Sequence, residues 1–162
     1  MTTLDTRTDP GGAAASDATT EQICVVRSVE LAAPAARVFS VQSDIARWTE
    51  WHPDVSYAVA LGPHRPGSVF EWVWRGTSTR TRVLEVVEPT LLVWSSLSAR
   101  GASVLRWELT PAGSATTLTA SLRFAPAVPV PRSRAERLQE RSIERWFEGL
   151  VRALQPDVLA LT

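Results

Sequence analysis

The order of the predicted segments constrains the fold of this chain more than any other feature of its sequence. One strand-like run and two short helical stretches come first, six strand-like runs follow, and a single long amphipathic segment closes the sequence. Short turns containing Gly and Pro separate the six runs, which favours antiparallel neighbours. Such a sheet needs cover for its apolar face, and the last segment is long enough to provide it. The order therefore predicts an α+β fold, in which a curved antiparallel sheet of about seven strands wraps around a long C-terminal helix.

The boundaries of the predicted elements follow from the alternation of apolar residues, from turn residues and from helical spacing. Residues 1–21 are rich in Thr, Ala, Gly and Asp with little to bury, so we expect a disordered tail there, and 22–162 is predicted to be one domain. The predicted elements are a strand beginning after Glu21, a helix over 34–42, a short helix before Pro53, strands over 54–62, 68–76, 79–88, 91–99, 102–110 and 115–125, and a helix from Arg132 onward.

Composition narrows the class of protein. Seventeen acidic residues balance seventeen basic ones, so electrostatics give no support for binding nucleic acid or an anionic membrane. No apolar run reaches the ~20 residues of a membrane helix and no secretory signal is recognisable, so we expect a cytoplasmic protein. With Cys24 as the only cysteine, and His52 and His64 as the only histidines, no metal site is predicted. A glycine-rich phosphate loop is also missing from the sequence, and no cofactor is expected.

Large apolar residues alternate along the predicted strands. Phe70, Trp72 and Trp74 share one face of their strand, because successive side chains point to opposite faces. Similar alternation on later strands places further tryptophans and leucines on the same side of the sheet, under the last helix. We therefore predict a pocket between sheet and helix, with these ligand-binding residues: Trp48, Trp51, Phe70, Trp72, Trp74, Thr81, Trp94, Ser96, Leu105, Trp107 and Leu122.

Two interpretations of this face remain open. Each aromatic side chain buries about 150–250 Å², so the rings could simply fill the core beneath the last helix. Alternatively, some of them wall an apolar pocket for a flat, hydrophobic molecule. Indole N–H groups favour the second interpretation, since each seeks a polar partner when it is buried.

Several short segments form a recognisable set. They are Ala33-Pro34 with Val38-Phe39, Asp44…Trp48…Trp51-His52-Pro53, Gly67-Ser-Val-Phe70-Glu-Trp72, Val86-Val-Glu88-Pro89 with Trp94, and Trp107 followed by a turn and Thr117. The set resembles the START-like superfamily, also called SRPBCC, and most closely its polyketide cyclase/dehydrase-like branch, over about residues 22–155. The resemblance implies the helix-grip fold and a cavity for a hydrophobic ligand. It leaves the activity open, because relatives include cyclases, aromatases, lipid carriers and hormone receptors.

Two positions depart from the pattern of many relatives in this branch. Leu105 stands where they have a histidine, and Leu122 stands where they have a glutamate. Both changes remove inward polar groups. The resemblance therefore implies a more apolar cavity than usual in this chain and gives less support to acid–base catalysis.

Few polar side chains are candidates for chemistry. Tyr57, near the predicted mouth, could polarise a carbonyl or donate a proton, or it could be a packing residue. His52 is the titratable group best placed for acid–base catalysis near neutral pH, although its ring could instead only hold the Trp-His-Pro turn. Thr81 and Ser96 are predicted inward hydroxyls that orient a ligand. His64 lies in a Pro/Gly loop and is expected to be solvated.

Three functions from different classes follow. The first is an enzyme of secondary metabolism, of the cyclase, aromatase or dehydratase type, which accelerates ring closure by folding a polyketide-like chain into a reactive shape. The second is a non-catalytic carrier or sensor of a hydrophobic ligand, which Leu105 and Leu122 favour. The third is a partner-binding module. The expected partner is a small hydrophobic molecule, with neither nucleic acid nor membrane insertion, and a homodimer is left open.

Overall fold

A seven-stranded antiparallel sheet forms the frame of the protein. The computed structural model describes residues 18–19 and 22–155. The elements in chain order are β1 (Ala18–Thr19), β2 (Ile23–Leu31), α1 (Ala35–Ser43), a 3-10 turn (Ile45–Arg47), α2 (Trp48–Trp51), β3 (Val55–Ala60), β4 (Val69–Trp74), β5 (Thr77–Val87), β6 (Leu91–Ser98), β7 (Gly101–Ala112), β8 (Ala115–Pro126), β9 (Val130–Pro131) and α3 (Arg132–Ala153). Hydrogen-bonded neighbours in the large sheet follow the order β2-β8-β7-β6-β5-β4-β3.

The predicted fold is confirmed. Each of the six strands from β3 to β8 lies within two residues of its predicted bounds, and β2 pairs with β8 at the far side of the meander. The short helix before Pro53 begins with a 3-10 turn. The predicted disordered tail lies outside the described residues apart from β1, which pairs with β9. Residues 156–162 of the predicted domain also lie outside them.

Side-chain alternation gives the sheet one apolar face. On β8, Leu118, Ala120 and Leu122 are buried, while the residues between them are more exposed. The helix α3 covers this face with its buried residues Ala135, Ile143, Trp146, Phe147, Gly149 and Leu150. We call the face toward α3 the concave face and the opposite face the convex face. Within residues 22–155, no helix is long and apolar enough to span a bilayer.

The short helices close one end of the space between sheet and α3. The indole of Trp48 is fully buried, and its Nε1 donates to the carbonyl oxygen of Gln42 at 3.1 Å. Nε1 of Trp146 on α3 donates to the Gln42 side-chain oxygen at 2.9 Å. The backbone carbonyl and the side-chain amide of Gln42 thus each accept one indole N–H, which satisfies two donors that burial would otherwise leave unpaired. These bonds link α1, α2 and α3.

The packing of α3 on α2 generates a test at Gly149. A Cβ atom at this position would come within 2.9 Å of Cε3 of Trp51 and 3.2 Å of the Trp51 carbonyl oxygen. We expect Gly149→Ala to lower the free energy of unfolding by about 1–3 kcal/mol through overpacking, although alanine usually gains about 1 kcal/mol over glycine in a helix. Urea unfolding measures this change. Glu144→Ala, at an exposed position of the same helix, is the control and should be nearly neutral.

Candidate functional site

The centre of the predicted pocket is filled by the protein's own aromatic rings. The Trp48 ring centroid lies 4.9 Å from that of Trp146, 5.3 Å from Phe70 and 5.5 Å from Trp94. Trp107 lies 5.8 Å from Trp146. Tilted and edge-on contacts at these distances are favourable aromatic packing. At this centre the rings fill the core beneath α3. They leave no open space for a ligand there.

One end of the concave face remains partly accessible. The register places Trp72 opposite Thr79, and Thr79 opposite Ser98. The next row contains Phe70, Thr81, Ser96, Ser103 and Phe124. The accessible residues share two properties, an inward position in the register and partial exposure. We call them the mouth, and they are Trp72, Trp74, Thr79, Ser96, Ser98, Ser103, Leu105 and Phe124. The mouth therefore combines aromatic surface with a line of hydroxyl groups.

A hydrogen-bonded chain orders the hydroxyl groups in the mouth. Nε1 of Trp72 donates to Oγ1 of Thr81 at 3.0 Å, and Oγ1 of Thr81 lies 2.7 Å from Oγ of Ser96. Thr81 is only 1% exposed, so its own hydroxyl proton needs a protein acceptor, and Ser96 is the one within reach. We therefore infer that Thr81 donates to Ser96. Consequently, the Ser96 hydroxyl proton is left free to donate to a ligand.

His64 is placed differently from the prediction. The loop between β3 and β4 folds back, so that the His64 ring lies 6.2 Å from Phe70 and 5.8 Å from Trp94. Nε2 of His64 accepts a hydrogen bond from Nε1 of Trp94 at 3.3 Å. Burial lowers the pKa of His64 below its ordinary value. The expected solvated position is therefore wrong. His64 adds a neutral imidazole beside the concave face, and no periodic signal in the sequence marked it.

His52 is buried against α3 and is not part of the mouth. It is 1% exposed, and its ring lies 4.8 Å from Trp146. Nδ1 accepts the Asp54 backbone N–H at 3.1 Å, so Nε2 carries the proton, and Nε2 has no partner among the described residues. The carboxylate of Asp54 accepts two hydrogen bonds from Arg145, at 2.5 and 2.9 Å. The turn that holds His52 is thus fastened to α3.

Tyr57 lies on the convex side of its strand. It pairs with Val73, whereas the next residue, Ala58, pairs with the inward Trp72. Its side chain is 50% exposed. The structure therefore does not bring Tyr57 and His52 together with the mouth residues, and their catalytic roles stay predictions.

The remaining predicted residues divide between mouth and core. Trp74 is half-buried, with the guanidinium of Arg100 5.1 Å from its ring. Trp51 is half-buried against Trp146 at 5.2 Å. Leu122 is buried beside the half-buried Leu105, its partner across the β7–β8 pair. Among residues 22–155, no group of three His, Cys, Asp or Glu side chains is arranged to hold a metal ion.

Comparisons with known proteins identify the family. The chain belongs to the polyketide cyclase/dehydrase and lipid transport family, which it matches over residues 22–155. No curated protein matches it by sequence. Solved structures share its helix-grip fold. One is a START superfamily protein from Mycobacterium smegmatis, with 22% identity over 86% of this chain and 99% of the other and a TM-score of 0.74.

Two further similar structures are aromatase/cyclases. The Zhui aromatase/cyclase from Streptomyces sp. R1128 is 17% identical over 82% of this chain and 91% of that one, with a TM-score of 0.65. The di-domain ARO/CYC BexL from the BE-7585A biosynthetic pathway is 18% identical over 86% of this chain, with a TM-score of 0.67. This chain covers 52% of BexL. Membership of the family supports the binding of a small hydrophobic ligand.

The burial of His52 predicts a pH dependence of stability. Burial is the main cause that lowers its pKa to about 4, while the unfolded chain keeps the ordinary value near 6.5. As the pH falls from about 6.5 to 4, the unfolded state gains a proton that the folded state does not. We therefore expect the free energy of unfolding to drop by about 3 kcal/mol across this window. At higher pH both states are neutral at this site, and no effect is expected.

Urea unfolding between pH 7.5 and 4 tests this expectation. His52→Asn, which retains an acceptor for the Asp54 N–H, should flatten the pH profile. His64→Gln is the matched control and should leave most of the slope in place. An unchanged slope in His52→Asn would assign the pH dependence to other groups.

Proposed function

We propose that the protein binds a small aromatic or polyketide-like molecule at the mouth and promotes its cyclisation, aromatisation or dehydration. The ordered Trp72–Thr81–Ser96 chain is the observation that carries this proposal. It presents a hydroxyl donor between aromatic surfaces, so a flat molecule with a carbonyl could stack on a ring and accept from Ser96. A cytoplasmic location and a role in secondary metabolism belong to the same proposal.

The chemistry requires few catalytic groups. Holding a reactive chain in a folded shape can supply much of the acceleration of a ring closure, and the walls of the mouth are suited to that. Ser96 would polarise a carbonyl of the bound chain. His64 would donate a hydrogen bond to the bound chain through its Nδ1–H, because its Nε2 already accepts from Trp94. In this proposal Ser96 takes the carbonyl-polarising role predicted for Tyr57, and His64 assists it as a second hydrogen-bond donor.

A non-catalytic carrier is the second candidate. Leu105 and Leu122 face each other across neighbouring strands at the inner side of the mouth. Both are apolar, so this part of the site offers a ligand contact area without a group that transfers protons. A carrier needs only such an apolar surface and one orienting hydrogen bond.

Blocking the mouth should abolish ligand binding. Ser103 faces the mouth, and its neighbour Ala102 points to the convex face on the same strand. We expect Ser103→Trp to weaken the binding of an anthraquinone or naphthol probe at least about tenfold, a loss of ~1.4 kcal/mol. Ala102→Trp should bind the probe like the parent chain. Isothermal titration calorimetry measures both, and equal weakening by the two substitutions would move the site elsewhere.

A synthetic poly-β-keto thioester separates enzyme from carrier. If the protein is a cyclase, ring closure followed by mass spectrometry and absorbance should saturate with substrate. Ser96→Ala and His64→Leu, which each remove a hydrogen-bond donor, should each slow it at least about tenfold, below the 10²–10⁴ typical of a full acid–base group. Tyr57→Phe is the control and should leave the rate unchanged. Tight binding of the thioester with no ring closure beyond the uncatalysed rate would establish the carrier.

A further inference from the structure

The convex face carries a groove that the proposed function does not use. It has a volume of about 400 Å³ and crosses strands β5 to β8. Its lining includes three arginines, Arg80, Arg82 and Arg123, with apolar side chains between them. The arginines point away from α3, since each is one residue removed from an inward position in the register. The lining also includes Thr81, Ser96 and Ser103, which take inward positions in the register, so the groove and the mouth lie on opposite faces of the same strands.

Two adjacent rows of the register build the groove. The first row runs across the strands as Arg82, Ser95, Val104 and Arg123, and the second as Arg80, Leu97, Ala102 and Ala125. In the first row, the smaller side chains of Ser95 and Val104 leave space that the long arginines at its two ends enclose. The floor is apolar, and Leu97 on it is 66% exposed. Leu97 and Val104 lie on adjacent strands of this floor and give it apolar contact area.

The positive charge of the groove is largely uncompensated. Arg80 has a long contact with Glu71, at 3.4 Å. Within residues 22–155, neither Arg82 nor Arg123 has an acidic partner in an ion pair. Both side chains are exposed. The chain as a whole has a net charge of zero, so this cluster is a local feature of the face. It is complementary to a negatively charged partner.

The spacing of the arginines suits a helix. Arg82 and Arg123 lie three strands apart, which corresponds to about 14 Å at the usual strand spacing. An α-helix with its side chains is about 10–12 Å across. We propose that the groove docks an acidic amphipathic helix of a partner protein. Its apolar stripe would pack on Leu97 and Val104, and its acidic flanks would pair with the arginines on either side.

A designed peptide tests this docking surface on the full chain. The probe is a fluorescent helix of about 18 residues with Leu and Ala on one face and Glu on both flanks, compared with a scrambled peptide of equal composition. Fluorescence anisotropy should show saturable binding of the first peptide that weakens as salt is raised. The double substitution Arg82→Gln with Arg123→Gln, and separately Leu97→Asp, should each raise Kd at least about tenfold. Arg37→Gln, an exposed arginine on α1, should change Kd less than about twofold.

Cys24 gives a second readout at the same place. It is exposed and pairs in register with Arg123. Alkylation of Cys24 should slow when the amphipathic peptide is bound and should not slow with the scrambled peptide. Binding of the anthraquinone or naphthol probe at the mouth should be unchanged in all the groove variants. The proposal for the groove and the proposal for the mouth can therefore be contradicted independently of each other.

Several results would overturn the proposal. Equal affinity for both peptides, or unchanged Kd in the arginine and Leu97 variants, would exclude the groove as a helix site. A dimer that sedimentation detects without peptide, and that Leu97→Asp dissociates, would assign the groove to a second copy of the chain. Saturable protection of Cys24 by decanoate, with no peptide binding, would assign it to a small anionic amphiphile.

Discussion

The contact of Trp146 with the sheet is the constraint on which the rest of the structure depends. Its ring lies 4.9 Å from Trp48 and 5.8 Å from Trp107, and its N–H donates to the buried Gln42. One side chain thus joins α3 to the short helices and to the middle of the sheet. These rings fill the centre of the space between the sheet and α3, and they hold α3 close to the sheet there. The mouth lies outside this packed centre, where inward side chains are only partly buried.

Much of this arrangement could be predicted from the sequence, because alternation along a strand determines which side chains share a face. Phe70 and Trp72 face α3, and Thr81 and Ser96 lie next to them in the register. The amphipathic spacing of α3 and the turn residues were enough to give the fold. Which aromatic rings are packed in the core and which line the mouth was not predictable, because that depends on how rings from distant elements meet.

Tyr57 and His64 show where local patterns are insufficient. Val55 is buried, so strict alternation would also turn Tyr57 inward. A bulge between these two residues shifts the register, and Tyr57 pairs with Val73 on the convex side. The position of His64 depends on a loop that is held at its end by hydrogen bonds between Gly67, Ser68 and Val83. These bonds join residues that are distant in sequence, and no residue spacing encodes them.

The direction of the hydrogen bonds in the mouth limits which ligands fit. An indole nitrogen can only donate, so Trp72 fixes Thr81 as its acceptor, and from the burial of Thr81 we infer that it in turn donates to Ser96. Ser96 therefore offers a donor to the ligand. Leu105 lies beside this hydroxyl on the neighbouring strand's inward face, so under the proposed function a ligand with an acceptor oxygen next to an apolar group would be complementary to this part of the mouth. In the proposed function, a ketone or thioester carbonyl on a folded hydrocarbon chain meets that requirement, whereas a charged headgroup would lose hydration that neutral hydroxyl groups restore only in part.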